Sequence, residues 1–171
     1  YRYIFGIQSQ VEAAKALAER IGVQALEAAP VVQAKPEDEW ENVQPVPDCA
    51  PAMHAVHVKR GRPSMTSVFK DADGKVLGAI MRFRTSDGGK DDIPHTLWRN
   101  KKTKQMEWKW RQWPVLRPLY GLDDLAARPD LPVLIVEGEK CKNAVDASEF
   151  ADKYVTVTWS GGSKAVDKSD W

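Results

Sequence analysis

The sequence predicts a mixed α+β chain: a small antiparallel β-meander leading into an α/β unit built on a parallel strand–helix–strand crossover. Three observations carry this prediction. Residues 64–113 switch to a two-residue hydrophobic period interrupted by turn signals. Residues 132–136 form a continuous apolar run, the mark of a strand buried on both faces. A helix-length segment then separates that run from a β-branched stretch at 154–159, the spacing of a parallel crossover.

Taken in order, Ser9-Gln-Val-Glu12 matches a capping box, and Val11, Ala14, Ala18 and Ile21 recur at helical spacing up to Gly22. Residues 1–29 therefore read as a helical segment that packs on a domain edge. Residues 30–53 hold Pro30, Pro36, Pro45, Pro47 and Pro51 around Glu37-Asp38-Glu39. Proline removes donors and fixes φ, and little apolar surface is available there, so this stretch is expected as an extended acidic linker.

The meander occupies residues 54–118. Met65–Phe69 and Val76–Phe83 flank the turn Asp71-Ala-Asp-Gly74. A Gly-rich polar stretch, Ser86–Asp92, leads to a third strand near His95–Arg99. After a lysine-rich turn at 101–105, Met106–Trp113 reads as the fourth strand. Residues 119–171 form the α/β unit. It opens with a short helix at 123–128, closed by Pro129. A buried strand follows at 132–136, then a helix over 139–150 with Cys141, Val145 and Phe150 as its inner face, and a second buried strand at 154–159.

Composition narrows the class. With 25 Lys+Arg against 24 Asp+Glu the net charge is +1, which resembles neither a histone-like binder nor an acidic tail. The distribution is uneven, however. Residues 1–53 sum to −4, residues 54–120 to +9 with 15 basic against 6 acidic side chains, and residues 121–171 to −4. A basic block between acidic ones points toward a polyanion. No apolar run approaches the roughly 18–20 residues of a membrane span, and the start lacks a signal-peptide pattern. Cys49, Cys141, His54, His57 and His95 are scattered, which supports neither a disulfide framework nor a zinc module, so a cytoplasmic setting is expected. The opening Tyr1 and the close at Asp170-Trp171 are those expected of a piece of a longer protein.

The most informative stretch is Val133-Leu-Ile-Val-Glu-Gly-Glu-Lys140. An acid at the C-terminal end of a parallel strand lies on the sheet edge where α/β proteins hold ligands. Gly138 permits a sharp turn into the helix. Glu137 there can hold a divalent cation or act as a general base. The bland alternative is that Glu137 or Glu139 only begins a helix, where acids favour the positive end of the dipole. The loop Ser160-Gly161-Gly162-Ser163-Lys164 either cradles a phosphate with backbone N–H groups and a lysine or is an ordinary strand-to-helix turn. It is not a Walker A loop.

The basic block interleaves Arg99, Lys101, Lys102, Lys104, Lys109, Arg111 and Arg117 with Trp98, Trp108, Trp110 and Trp113. Such a surface can track the phosphates of a single strand and stack its bases, chiefly on Trp108 and Trp110, at about 1–3 kcal/mol per base. The alternative makes the tryptophans the meander's core and the cations its solvated face. The three histidines are expected as separate surface or packing residues.

The strand ending Glu137-Gly138, its helix and the following strand with a small-residue loop resemble the first half of a Toprim domain. The closer resemblance is to the Toprim primases and primase-helicases of phages and plasmids. It is carried by Leu119-Tyr-Gly-Leu-Asp-Asp-Leu125, by Pro132–Lys140, and by the segment Trp159–Trp171. More loosely, it extends to the meander's Asp-Ala-Asp-Gly, Arg-Phe, Gly-Gly-Lys and Trp-Lys-Trp pieces. It covers about residues 64–171 and is absent before 53.

The resemblance implies an incomplete Toprim fold in which Glu137 is the acidic residue and magnesium ligand and Gly138 its companion. A later Asp-x-Asp pair, which this chain does not contain, would complete the magnesium site. It implies template-directed RNA primer synthesis from nucleoside triphosphates on a single-stranded DNA template, with a fused or associated helicase as a further partner. The chain as it stands would then lack polymerising activity. Asp167 and Asp170 precede the missing strand and are not taken as ligands. Cys141 stands where many such primases carry an Asp, and no catalytic thiol is implied. A non-catalytic Toprim-like DNA-binding or helicase-docking module, or a Toprim nuclease, would share the same features.

Overall fold

A computed structural model describes residues 38–171, so the helix expected within residues 1–29 lies outside the described residues. The described chain is mixed α+β, with a five-stranded antiparallel sheet and a separate two-stranded parallel one.

The first hairpin forms where its turn chemistry predicts. Strands β2 (Met65–Lys70) and β3 (Val76–Arg84) pair antiparallel. Between them the Asp71 carboxylate accepts from the N–H groups of Asp73 (3.0 Å) and Lys75 (2.8 Å). Strand β4 (Lys90–Asn100) starts earlier than expected. The Gly-rich stretch contracts to a turn at 85–89, in which Thr85 N–H donates to Gly89 O at 3.1 Å. Strand β5 (Met106–Lys109) is in turn shorter than expected. The backbone turns back at Arg111, whose N–H donates to Lys109 O, and Trp113 swings inward to donate its indole N–H to Leu77 O at 2.9 Å. Phe69, Leu77, Ile80 and Trp113 form the resulting core, with Tyr120 packed against it.

The unexpected element is β1 (Trp40–Asn42), inside the segment read as an extended linker. It is extended, but it is also a sheet strand, antiparallel to β4 with Glu41 opposite Arg99. Strands β1 and β5 flank the same stretch of β4 on opposite edges, because both pair with Trp98 and Arg99.

In the second half, helix α1 (Leu122–Ala127) precedes strand β6 (Val133–Ile135), helix α2 (Glu139–Asp146) and strand β7 (Val155–Val157). The parallel β6–β7 pair has Val133 opposite Val155, the crossover expected from the spacing. A 3₁₀ turn, Ser163–Lys168, follows.

Two packing expectations are corrected. Strand β7 is buried throughout, but β6 is not: Val133 is 48% and Ile135 55% exposed. Among the described residues the parallel sheet has only two strands, which leaves those side chains uncovered. Nor does α2 turn Cys141, Val145 and Phe150 inward. Its buried residues are Glu139 and Lys142, Cys141 is exposed, and Phe150 lies beyond the helix end.

The reason for the second correction is a non-local ion cluster. Lys142 Nζ lies 2.6 Å from both Asp124 of α1 and Asp146 one turn along α2. Burial pulls the Lys142 ammonium's pKa down, but the two carboxylates outweigh it and hold the group above its ordinary value. The lysine stem thus fills an apolar position while its charge is satisfied. Gly121 is required beside it. At φ +102° it sits in the left-handed region, and a Cβ there would come within 2.4 Å of Lys142 Cε and 2.7 Å of Thr156 O. This contact joins the Leu119–Leu125 motif to the helix that follows Glu137. No helix among the described residues is long and apolar enough to cross a membrane.

Candidate active site

The turn after β6 positions Glu137. Gly138, at φ +86° and ψ 153°, reverses the chain into α2 in a conformation that penalises any Cβ. Its N–H donates to Thr158 Oγ1 at 2.8 Å, which pins the turn to the end of β7. Glu137 is left exposed at the C-terminal end of the parallel strand, and its Oε1 accepts the Ser163 N–H at 3.2 Å. Two features that are separate in sequence, the acidic turn and the Gly161-Gly162-Ser163 loop, are therefore in contact. Lys164, the loop's lysine, is exposed.

Glu137 opens on a cavity of about 580 Å³ between this turn and the β3–β4 strands, lined also by Arg82, Lys90, Asp92, Trp159 and Gly162. Arg82 is committed to Asp92, with Nε to Oδ1 at 2.6 Å and Nη2 to Oδ2 at 2.9 Å. Glu139, 5% exposed, reaches the same cavity from α2. Burial, and after it the negative charge of Asp92, pushes its pKa above the usual carboxylate range. A neighbouring groove of about 440 Å³ joins Arg84, Lys90 and Lys140. None of these three forms an ion pair or side-chain hydrogen bond among the described residues. Sequence reading missed Arg82, Arg84 and Lys90, which reach the site from the distant strands β3 and β4, and also Trp159, which borders the 160–164 loop. The only local signal was Gly88-Gly89-Lys90.

The chemistry available is that of anion binding beside a carboxylate. Phosphate groups suit Lys90, Lys140 and Arg84, and Trp159 offers a partly exposed aromatic face. Magnesium, the cation the resemblance implies, usually takes one or two protein carboxylates plus substrate phosphates and water. An exposed Glu137 facing a cavity that also holds Lys90 and Lys140 fits that donor set as one ligand. Among the described residues no three His, Cys, Asp or Glu side chains are grouped to hold a metal.

The basic block behaves differently. Arg99 pairs with Glu41 (2.7 Å), Lys102 with Glu39 (2.8 Å), Arg111 with Asp38 and Lys109 with Glu107 (3.1 Å). Lys101 N–H donates to Glu39 O, and Lys104 is exposed in the turn. Lys109 lies 3.5 Å over the Trp40 ring and Arg111 3.9 Å over Trp98. Arg117 does not join this face. It is half-buried beside the 160–164 loop, with Nη1 3.5 Å from Ser160 O.

Trp98, Trp108 and Trp113 are each at most 4% exposed, so they are core. Trp108 donates to Pro51 O at 2.7 Å. Trp110 stacks on His95 at 3.9 Å. His54 and His57 pack there as well, which corrects the expectation of separate histidines. His95 is fully buried with neither ring nitrogen hydrogen-bonded. Burial first, and then the nearby His54 and His57, lowers its pKa to about 4.

Comparison of the chain with protein-family models, with curated proteins and with solved structures finds no match.

Proposed function

We propose that this chain is part of a Toprim-like DNA replication primase and that Glu137 belongs to its magnesium-dependent phosphoryl-transfer centre. One observation carries the reading most. An exposed acid at the C-terminal end of a parallel strand faces a cavity lined by two unpaired cations, Lys90 and Lys140, which also border the neighbouring groove of Arg84. Phosphoryl transfer calls for this combination, because charge on the transferring group must be neutralised and the group held in line. The contact between Gly121 and Lys142 lends support, since it ties together the two motifs that carry the resemblance.

In this reading Arg84, Lys90 and Lys140 bind the phosphates of a nucleoside triphosphate. Ser163 N–H orients the Glu137 carboxylate, and Trp159 flanks the base or sugar. Magnesium, bound partly by Glu137 and partly by residues outside this chain, supplies charge neutralisation. Glu139, whose carboxyl pKa is pushed by burial above the usual range, lines the same cavity from α2. Single-stranded DNA serves as template.

The test is primer synthesis by the longer protein in which this reading sets the chain. Glu137→Gln keeps shape and removes charge, so synthesis should fall at least a hundredfold while DNA binding persists, a loss typical of removing one charge-stabilising group. Undiminished synthesis removes Glu137 from the centre. Retained nucleotide binding with no magnesium dependence favours the non-catalytic module instead.

A further inference from the structure

Three cations in and around the β4–β5 hairpin are paired by carboxylates from a single short segment, residues 38–41. Asp38, Glu39 and Glu41 engage Arg111, Lys102 and Arg99 respectively, and the partner cation is the leading cause of the lowered pKa of each carboxylate. Trp40, between them in sequence, lies under Lys109. The segment that delivers these acids is held lightly. Only Trp40–Asn42 of it pairs as β1, and its other backbone ties are Lys101 N–H to Glu39 O (2.8 Å) and Val43 N–H to Leu97 O (2.9 Å). Each of the three ion pairs has both partners at least 39% exposed, so each is worth little in water.

Carboxylates close together along an extended backbone present to a basic face what a nucleic-acid backbone presents, namely a run of negative charge. We infer that the β4–β5 face carrying Arg99, Lys102 and Arg111 is a binding surface for single-stranded nucleic acid, and that residues 38–42 occupy it as an internal phosphate mimic which the strand must displace. This rests on the reading that the chain meets single-stranded DNA, and it adds a second surface distinct from the Glu137 cavity. Displacement exchanges three weak ion pairs for phosphate contacts. It also uncovers the Trp40 ring and leaves Arg99, Lys102 and Arg111 free to track phosphates. The three tryptophans beneath stay in the core, so recognition here is electrostatic rather than by stacking.

The experiment uses the whole chain and a labelled oligo-dT of about 20 nucleotides, longer than one single-strand site, with affinity measured across a salt series. The variant Asp38→Asn, Glu39→Gln, Glu41→Gln keeps side-chain shape and removes the competing charge. It should bind roughly tenfold more tightly at low salt. Its log–log salt slope should be steeper by about 2, the share of three phosphates at ~0.7 each. Equal or weaker binding, or an unchanged slope, overturns the inference.

Hydrogen exchange of the unaltered chain gives a second readout that does not depend on the variant's folding. Adding the oligonucleotide should strip protection from the Lys101 and Val43 amides, and protection kept or raised overturns the inference. If the unaltered chain binds, Arg84→Glu with Lys90→Glu abolishes that binding and the acid variant changes nothing, the mimic fails while the proposed function stands. If no form binds at low salt, both fail.

Discussion

Two basic regions of this chain differ in a way their sequences conceal. The β4–β5 region is dense in lysine and arginine, yet Arg99, Lys102, Lys109 and Arg111 all have carboxylate partners. The Glu137 cavity and the groove beside it draw Arg84, Lys90 and Lys140 from three separate elements, and they have none among the described residues. What an incoming phosphate meets is the unpaired charge, so the sparser region is the stronger anion site while β1 is in place. A segment total of +9 measures how much charge is present, not how much is available.

The comparison can be broken most forcefully at the cavity rim. Replacing Arg84, Lys90 and Lys140 with Ala should weaken nucleoside triphosphate binding by at least tenfold, since charge-assisted contacts to phosphate are worth about 1.5–3 kcal/mol each before they are shared with water. The control is the same number of neutralisations on the other face, Arg99→Ala, Lys102→Ala and Arg111→Ala. It should change triphosphate binding less than threefold, because surface pairs contribute about 0–1 kcal/mol each and those cations are already engaged. A larger loss from the β4–β5 face reverses the ranking. Isothermal titration at fixed ionic strength measures both.

A second pair of tests separates scaffold from charge. Gly121→Ala forces a Cβ into Lys142 and Thr156 O at a left-handed φ, so it should destabilise the fold by about 3 kcal/mol in urea melts. His95 gives a smaller and pH-dependent effect. Its pKa falls from about 6.5 in the unfolded chain to about 4 in the folded one, so the unfolded state binds the extra proton. Stability is therefore complete above pH ~6.5 and declines as pH falls toward 4. The difference at pH 5 is about 2 kcal/mol. His95→Phe, which suits a buried ring with no hydrogen-bond partner, should flatten that decline between pH 6.5 and 4. A slope that survives the substitution assigns it to other groups. The smallest effect belongs to Asp38, Glu39 and Glu41. Their lowered pKa values mean that protection of the Lys101 amide persists above the ordinary carboxylate range and fades only at lower pH.

Local chemistry made part of this legible in advance. The β2–β3 hairpin followed from Asp71-Ala-Asp-Gly74, whose turn bonds are made by residues adjacent in sequence. The turn at Glu137-Gly138 followed from a glycine where an apolar strand gives way to a helix. Strand β1 was not legible, because nothing in Trp40-Glu41-Asn42 marks a strand until Arg99 and Trp98, more than fifty residues away, are brought beside it. The inner face of α2 was misread for the same reason. Lys142 is acceptable inside only because Asp124 comes from another helix. The grouping of Arg84 and Lys90, paired across β3 and β4, with Lys140, and the histidine cluster that joins His54 and His57 to His95 and Trp110, likewise depend on residues far apart in sequence. Residues that act through a neighbour in sequence could be read from it, and those that act through a neighbour in space could not.

The central claim is that Glu137 and the unpaired cations form one phosphate-handling site. Its most direct test is nucleoside triphosphate binding to the chain with and without magnesium, for the unaltered protein and for Glu137→Gln. The account predicts that magnesium tightens binding by about tenfold or more in the unaltered chain and by less than twofold in Glu137→Gln, with magnesium-free binding similar in both. An identical magnesium response in the two proteins would contradict it.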